Sequence, residues 1–191
     1  TLAPTVTLED SGELAVAADY IGVPHPPGYP IWTLLAWLFQ WVFHWKTYYG
    51  QPNPAWSVGL MSAFFGALAC GALALLVCRS GADMLRSMKR VTEVLGYATE
   101  NVICWVGGVT AGLLLGFSPA LWSQSVIVEV YSLNAFFLVL LLLLAYMWIC
   151  RPADNRILYA TAFVFGLGLT NHQTLLFVAL ALLAAIWFRD R

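Results

Sequence analysis

Apolar residues along this chain fall into long uninterrupted blocks separated by short polar stretches, a pattern of helices rather than alternating strands. The clearest block, Trp56 to Cys78, carries no charge. It meets the roughly 20 mostly apolar residues that a membrane-spanning helix needs. Its Gly59, Gly66, Ala67 and Gly71 are the small residues that let helices approach closely in lipid. Arg79 closes the block, and residues 79–101 are polar, with Arg86, Lys89 and Arg90. A second span is predicted over residues 102–118. Ser118-Pro119 then reads as an N-cap followed by Pro at the first helical position.

From Pro119 to Cys150 the pattern predicts one continuous helix, about 48 Å long at 1.5 Å per residue. A hydrocarbon core is about 30 Å thick, so the first turns, Trp122 to Tyr131, project past one surface and residues 132–150 cross. The last apolar block, Ile157 to Phe188, is interrupted at Gly166-Leu167-Gly168-Leu169-Thr170-Asn171-His172. The interruption predicts two short helices, 157–170 and 174–188, with a single long tilted helix as the alternative. The expected fold is an all-α integral membrane protein with five transmembrane helices, 56–78, 102–118, 132–150, 157–170 and 174–188.

Ile31 to Trp45 fits none of these spans. It covers only about 22 Å as a helix and carries Trp32, Trp37, Trp41 and Trp45. Tryptophan concentrates at membrane–water interfaces, so this segment is expected to lie along the surface. Charge placement agrees. With the segment interfacial, one face receives Arg79, Arg86, Lys89, Arg90, Arg151, Arg156, Arg189 and Arg191, leaving only Lys46 opposite. The positive-inside rule makes the first face cytoplasmic. Residues 1–55 then form an extracytoplasmic first loop, and residues 56–191 form the transmembrane bundle. The localisation expected is a multi-pass protein of a bacterial inner membrane.

Composition narrows the class without changing this picture. Of the 191 residues, 61% are apolar and 10% charged, against about 25% charged in soluble domains. That excludes a disordered chain and a nucleic-acid binder. Cys70, Cys78, Cys104 and Cys150 lie in or beside apolar runs without metal-site spacing, and they read as packing residues.

Four polar motifs fall on the proposed outer face. In Glu9-Asp10-Ser11-Gly12-Glu13, Asp10 and Glu13 are candidate general bases; equally, Asp10 as N-cap with Glu13 three residues on is a capping-box spacing. In Pro24-His25-Pro26-Pro27-Gly28-Tyr29-Pro30, the prolines predict a stiff extended path that presents His25, either to a ligand or merely at the interface. In the stretch from Trp122 to Asn134, Ser125, Glu129 and Ser132 share a helical face. Glu129 reads as the one acidic residue inside an apolar helix, where ionisable groups face cavities or partners. Tyr131 lies beside it. In Gly168 to Thr174, Asn171 and His172 stand at a helix break suited to a polar headgroup, or to a plain turn. No phosphate-cradling loop, zinc spacing or nucleophile elbow is present.

Together TLAPTVTLEDSGEL, HPPGYP, WSQSVIVEVYSLNA and GLGLTNHQT, in that order over residues 1–174, resemble a family of multi-span membrane proteins formerly of unknown function. That family is related to the protein O-mannosyltransferases of the C-type glycosyltransferase superfamily. The resemblance implies the N-terminal part of such a fold, and inverting hexosyl transfer from a polyprenyl-phosphate donor to a protein hydroxyl outside the cytoplasm. It implies Asp10 as catalytic base with Glu13 as second candidate, and His25, Glu129, Tyr131, Asn171 and His172 lining the pocket. Family members carry a helix ahead of TLAPT and continue past residue 191, so the chain is expected to be a piece of a longer architecture.

The partners implied are membrane lipid, the lipid-linked sugar as substrate, and a protein acceptor or neighbouring membrane subunits. No cofactor is implied, and a divalent metal is left open. A non-catalytic transmembrane subunit of a larger complex is the alternative. A small transporter ranks last, because no inverted repeat is found.

Overall fold

The computed structural model describes residues 1–7, 10–88 and 96–189. Lys89, Arg90 and Arg191 of the charge argument, and Glu9 of the first polar motif, lie outside the described residues.

Helix α1 (Ser11–Asp19) buries Ser11, Leu14, Ala15 and Ala18, a stripe spaced three, four and seven residues along one face. Helix α2 (Pro30–Val42) buries Trp32, Thr33, Ala36 and Gln40, and the Gln40 amide donates to the Ala15 carbonyl 3.1 Å away. A two-residue hairpin, β1 (Thr47–Tyr48) with β2 (Gln51–Pro52), pairs Thr47 with Pro52 and Tyr48 with Gln51. Tyr49 and Gly50 turn it at positive φ, as a tight hairpin requires.

Helix α3 (Pro54–Ser87) is the central post, packed mainly on α4 (Tyr97–Gly116) and α6 (Tyr131–Cys150). Between the latter two lies α5 (Pro119–Ser125). Helix α7 (Asn155–Leu169) is followed by a 3₁₀ segment (Gln173–Phe177) and α8 (Val178–Arg189). Among the described residues three helices, α3, α4 and α6, are long and apolar enough to cross a membrane. Helix α7 and the stretch Gln173–Arg189 are apolar but shorter, about 22 and 25 Å at 1.5 Å per residue.

Several expectations are corrected. Helix α3 does not end at Arg79 but runs on to Ser87, because its polar last turns find partners. Arg86 Nε donates to Glu100 Oε1 at 2.7 Å, and Asp83 accepts from the Tyr146 hydroxyl. Glu100 therefore sits inside α4, 1% exposed, whereas Glu129, expected within a helix, lies in the break between α5 and α6. Pro119–Cys150 is not one helix; it is broken between α5 and α6. Cys150 is exposed rather than packed, with its thiol 3.7 Å from Asp83. The break at Gly168–His172 is present, and the single long helix is not formed.

Helices α3 and α4 touch backbone to backbone at glycine. A Cβ on Gly112 would lie 2.8 Å from the Cys70 carbonyl oxygen, and one on Gly108 would lie 2.5 Å from that of Ala74. Gly108 and Gly112 are four apart, the spacing of close helix pairs in lipid. Gly112→Leu is expected to force these helices apart and cost about 1–3 kcal/mol or more, read as a lower midpoint of thermal unfolding in detergent. Arg86→Ala strands the buried Glu100 carboxylate and should also lower that midpoint, with Glu100→Gln in the same chain restoring most of the loss.

Candidate functional site

The site forms where the break between α5 and α6 meets the first loop. Residues 126–130 leave the helix, which frees their carbonyls, and four side chains and one backbone amide from distant elements take them. Ala3 N–H donates to Val126 O at 2.8 Å, and the Ser11 hydroxyl donates to Val128 O at 3.2 Å. Trp32 Nε1 and the Ser62 hydroxyl both donate to Glu129 O, at 3.1 and 3.2 Å. Asn171 Nδ2 donates to Val130 O at 3.4 Å. Buried backbone groups are nearly always paired, and this pairing replaces the helical ladder. Ser125 and Ser132 remain in contact across the break, with their hydroxyls 2.9 Å apart.

Against this wall lies a cavity of about 180 Å³ lined by Asp10, Leu14, His25, Tyr29, Glu129, Val130 and Tyr131. Asp10 occupies the N-cap of α1 but makes no side-chain capping bond. The capping box is not formed, because the Glu13 carboxylate is turned to His25. It accepts the His25 backbone N–H at 2.6 Å and ring Nδ1 at 3.2 Å. The chain around His25 is a turn rather than the extended path expected: Gly28 N–H donates to His25 O, and Gly28 and Tyr29 have positive φ.

A carboxylate only accepts, so Glu13 fixes the proton on His25 Nδ1. Nε2 is then the acceptor for the Tyr29 hydroxyl at 3.3 Å, and it stands 3.9 Å from Asp10 Oδ2. The backbone and ring bonds from His25 hold the Glu13 carboxyl below its ordinary value. Burial pushes the Tyr29 phenol up. Asp10, Glu13 and His25 each bring one ligand atom to within 4.8 Å of the others, so the same three side chains could hold a divalent cation.

Aromatic rings continue the site. Tyr29 stacks on His172, with centroids 6.1 Å apart and planes 8° apart, and Tyr131 contacts the other member of that pair at 5.5 Å. Thr174 N–H donates to His172 Nδ1 at 3.2 Å, and burial lowers the His172 pKa from its ordinary 6.5. The unfolded chain therefore binds this proton more readily. The contribution to stability is complete above about pH 6.5 and declines as pH falls toward the lowered folded value. The His172 ring should show a midpoint below 6.5 in an NMR titration.

Six of the seven residues singled out from the sequence, Asp10, Glu13, His25, Glu129, Tyr131 and His172, thus meet at one end of the bundle. Asn171 is fully buried behind the wall, holding Val130 O. Sequence reasoning missed Tyr29 and Trp32. The signal for Trp32 was its register with Ala36 and Gln40, four and eight residues on, which makes it the inward tryptophan (0% exposed) of a set otherwise read as interfacial. The opposite end of α3, at Asp83 and Arg86, is about 32 Å away along the helix from Ser62. The turns that carry Arg151 and Arg156 lie there too, because α6 runs from the site to its Tyr146–Asp83 contact.

Long apolar helices joined to a polar cavity at one bundle end define a helical membrane protein with a candidate site in its first loop. The chain belongs to the family described as Protein O-mannosyl-transferase TMEM260 N-terminal domain, whose model matches residues 10–191. It is 30% identical over 194 residues to a protein of Dictyostelium discoideum named Protein O-mannosyl-transferase tmem260, covering 93% of this chain and 20% of that one. It is 33% identical over 184 residues to the mouse protein named Protein O-mannosyl-transferase TMEM260, covering 94% and 22%. The chain thus spans about a fifth of the length of these curated relatives. No solved structure matches it significantly.

Proposed function

We propose that this chain is the part of a membrane O-mannosyltransferase that holds the catalytic base, acting on a protein hydroxyl at the extracytoplasmic surface. The carrying observation is the gathering of Asp10, His25, Tyr29, Glu129 and Tyr131 around one small cavity. Membership of the family supports the reaction class.

In this reading Asp10 takes the proton of the acceptor hydroxyl. The oxygen attacks the anomeric carbon of a polyprenyl-phosphate mannose, and the bond from that carbon to the phosphate oxygen breaks. The electron pair leaves with the lipid phosphate, and the anomeric centre inverts. Glu13 orients His25, whose Nε2 faces Asp10 and the Tyr29 hydroxyl. Tyr131 and His172 offer ring faces for the sugar. An apolar groove of about 570 Å³ between α3, α4 and α5, lined by Ala67, Cys70, Gly112, Leu113, Trp122 and Val126, shares the 125–131 wall with the cavity and suits the isoprenoid chain. In this reading α7 and the whole stretch Gln173–Arg189 make two further, shorter crossings, five in all as expected of a C-type fold, and α2 lies in the interface through its exposed Trp37 and Trp41.

The test is label transfer. Purified protein given radiolabelled mannosyl-phosphoprenol and an acceptor polypeptide should move label to serine or threonine. No transfer from any hexosyl-phosphoprenol, with co-purification of fixed membrane partners, would instead give the non-catalytic subunit.

A further inference from the structure

A second cavity, with aromatic walls and a few polar groups, lies between the first loop and the start of α3, and the transfer reaction does not use it. It measures about 260 Å³, and its walls include Asp19, Trp37, Gln40, Trp41, His44 and Lys46. Asp10 and Asp19 bound α1 at opposite ends, about 13 Å apart along the helix, so this cavity is separate from the one at Asp10.

Its hydrogen-bonding character is specific. Gln40 is 6% exposed; its amide N–H is taken by Ala15 O, while its Oε1 is buried without a donor. A buried acceptor in that state is unfavourable until something donates to it. His44 Nδ1 donates to Trp41 O at 2.9 Å, which leaves Nε2 of the neutral ring as an acceptor. The Asp19 carboxylate adds more acceptors. The one cation, Lys46, lies 4.8 Å over the Trp56 ring. Trp37 and Trp41, partly exposed, supply flat apolar walls.

A ligand matching these walls donates several hydrogen bonds, carries an apolar face and has no net charge. A phosphate would bring its negative charge against the Asp19 carboxylate and has few donors for the acceptors of this cavity. An ammonium would meet Lys46. A sugar ring has hydroxyl donors around its rim and C–H groups on its face. Small concave sites lined by aromatic rings and a few placed polar groups are the usual form of such pockets.

We infer that this cavity is a saccharide-binding site for a neutral hexopyranose. The sugar comes either from a glycan on a protein acceptor or from a glycolipid headgroup. The inference does not rest on the transfer reading, since none of its residues takes part in that reaction.

Saturation-transfer NMR on the protein in a sugar-free detergent, with methyl α-mannopyranoside and methyl α-glucopyranoside as probes, tests it. At least one probe should show saturated ring protons. Trp41→Ala, at an exposed position that leaves the core intact, should lower the effect at least fivefold, as should Gln40→Met. Asp10→Asn should leave it unchanged. Displacement by a soluble mannosylated peptide assigns the acceptor source, and displacement by a glycolipid in bicelles assigns the lipid source. Absence of saturation for both probes overturns the site. So does displacement by inorganic phosphate, or loss in Asp10→Asn with Trp41→Ala unaffected.

Discussion

Asp10→Asn should reduce mannosyl transfer by about 10²–10⁴-fold, the range a positioned general base contributes, while leaving the protein folded. The two parts of that expectation rest on separate observations. Asp10 lines the cavity beside His25 and Glu129, so an amide there removes the group that would accept the hydroxyl proton. Yet its side chain makes no capping bond and is 60% exposed, so neutralising it costs α1 only the helix-end charge interaction, about 0.3–1 kcal/mol. Glu13→Gln discriminates the two carboxylates. A glutamine oxygen can still accept the His25 backbone N–H, and the His25 turn survives, so transfer should fall much less than with Asp10→Asn. The readouts are initial rate of label transfer and thermal midpoint, measured on the same preparations. Full activity in Asp10→Asn removes it as base; the reverse ranking of the two variants would transfer that role to Glu13.

The helical blocks were legible because lipid-facing side chains announce themselves locally: Trp56–Cys78 contains no charge whichever way its helix is rotated. The grouping of Asp10, His25, Glu129 and His172 was legible for a related reason, since successive helices that run back and forth return polar segments to one end of the bundle. What escaped was whatever depends on a partner far along the chain. Glu100 looked like part of a polar loop until Arg86 met it at 2.7 Å. Glu13 had the spacing of a capping box and was drawn away by a turn twelve residues later. The Val126-Ile127-Val128-Glu129-Val130 run has only β-branched crowding as a local hint against helix. Its unwinding is decided by donors from Ala3, Ser11, Trp32, Ser62 and Asn171, none of them visible from the run itself. Gly108 and Gly112 were likewise overlooked, because a glycine pair on one helix states nothing about the carbonyls it will face.

Trp32→Ala should be the most destabilising single substitution in the first loop, at about 3–5 kcal/mol for a fully buried aromatic. The side chain is completely buried in the cluster that also holds Leu14, Val58, Val128 and Leu133, so its removal leaves a void between α2, α3 and the 126–130 wall. Trp32→Phe keeps an aromatic ring but removes the indole N–H together with part of the buried ring volume, so its cost has a packing share and a hydrogen-bond share. Glu129 O still has the Ser62 hydroxyl at 3.2 Å, so the hydrogen-bond share of that loss should be about 0.5–1.5 kcal/mol. Adding Ser62→Ala to Trp32→Phe leaves that carbonyl buried with neither donor. The pair should then cost more than the sum of the singles, and transfer should fall with it, because Glu129 and Tyr131 are carried on the same wall. Thermal unfolding of the four proteins in detergent gives the cycle directly. Strict additivity would show that the wall is held by packing alone, and that its carbonyls find other donors when these two are gone.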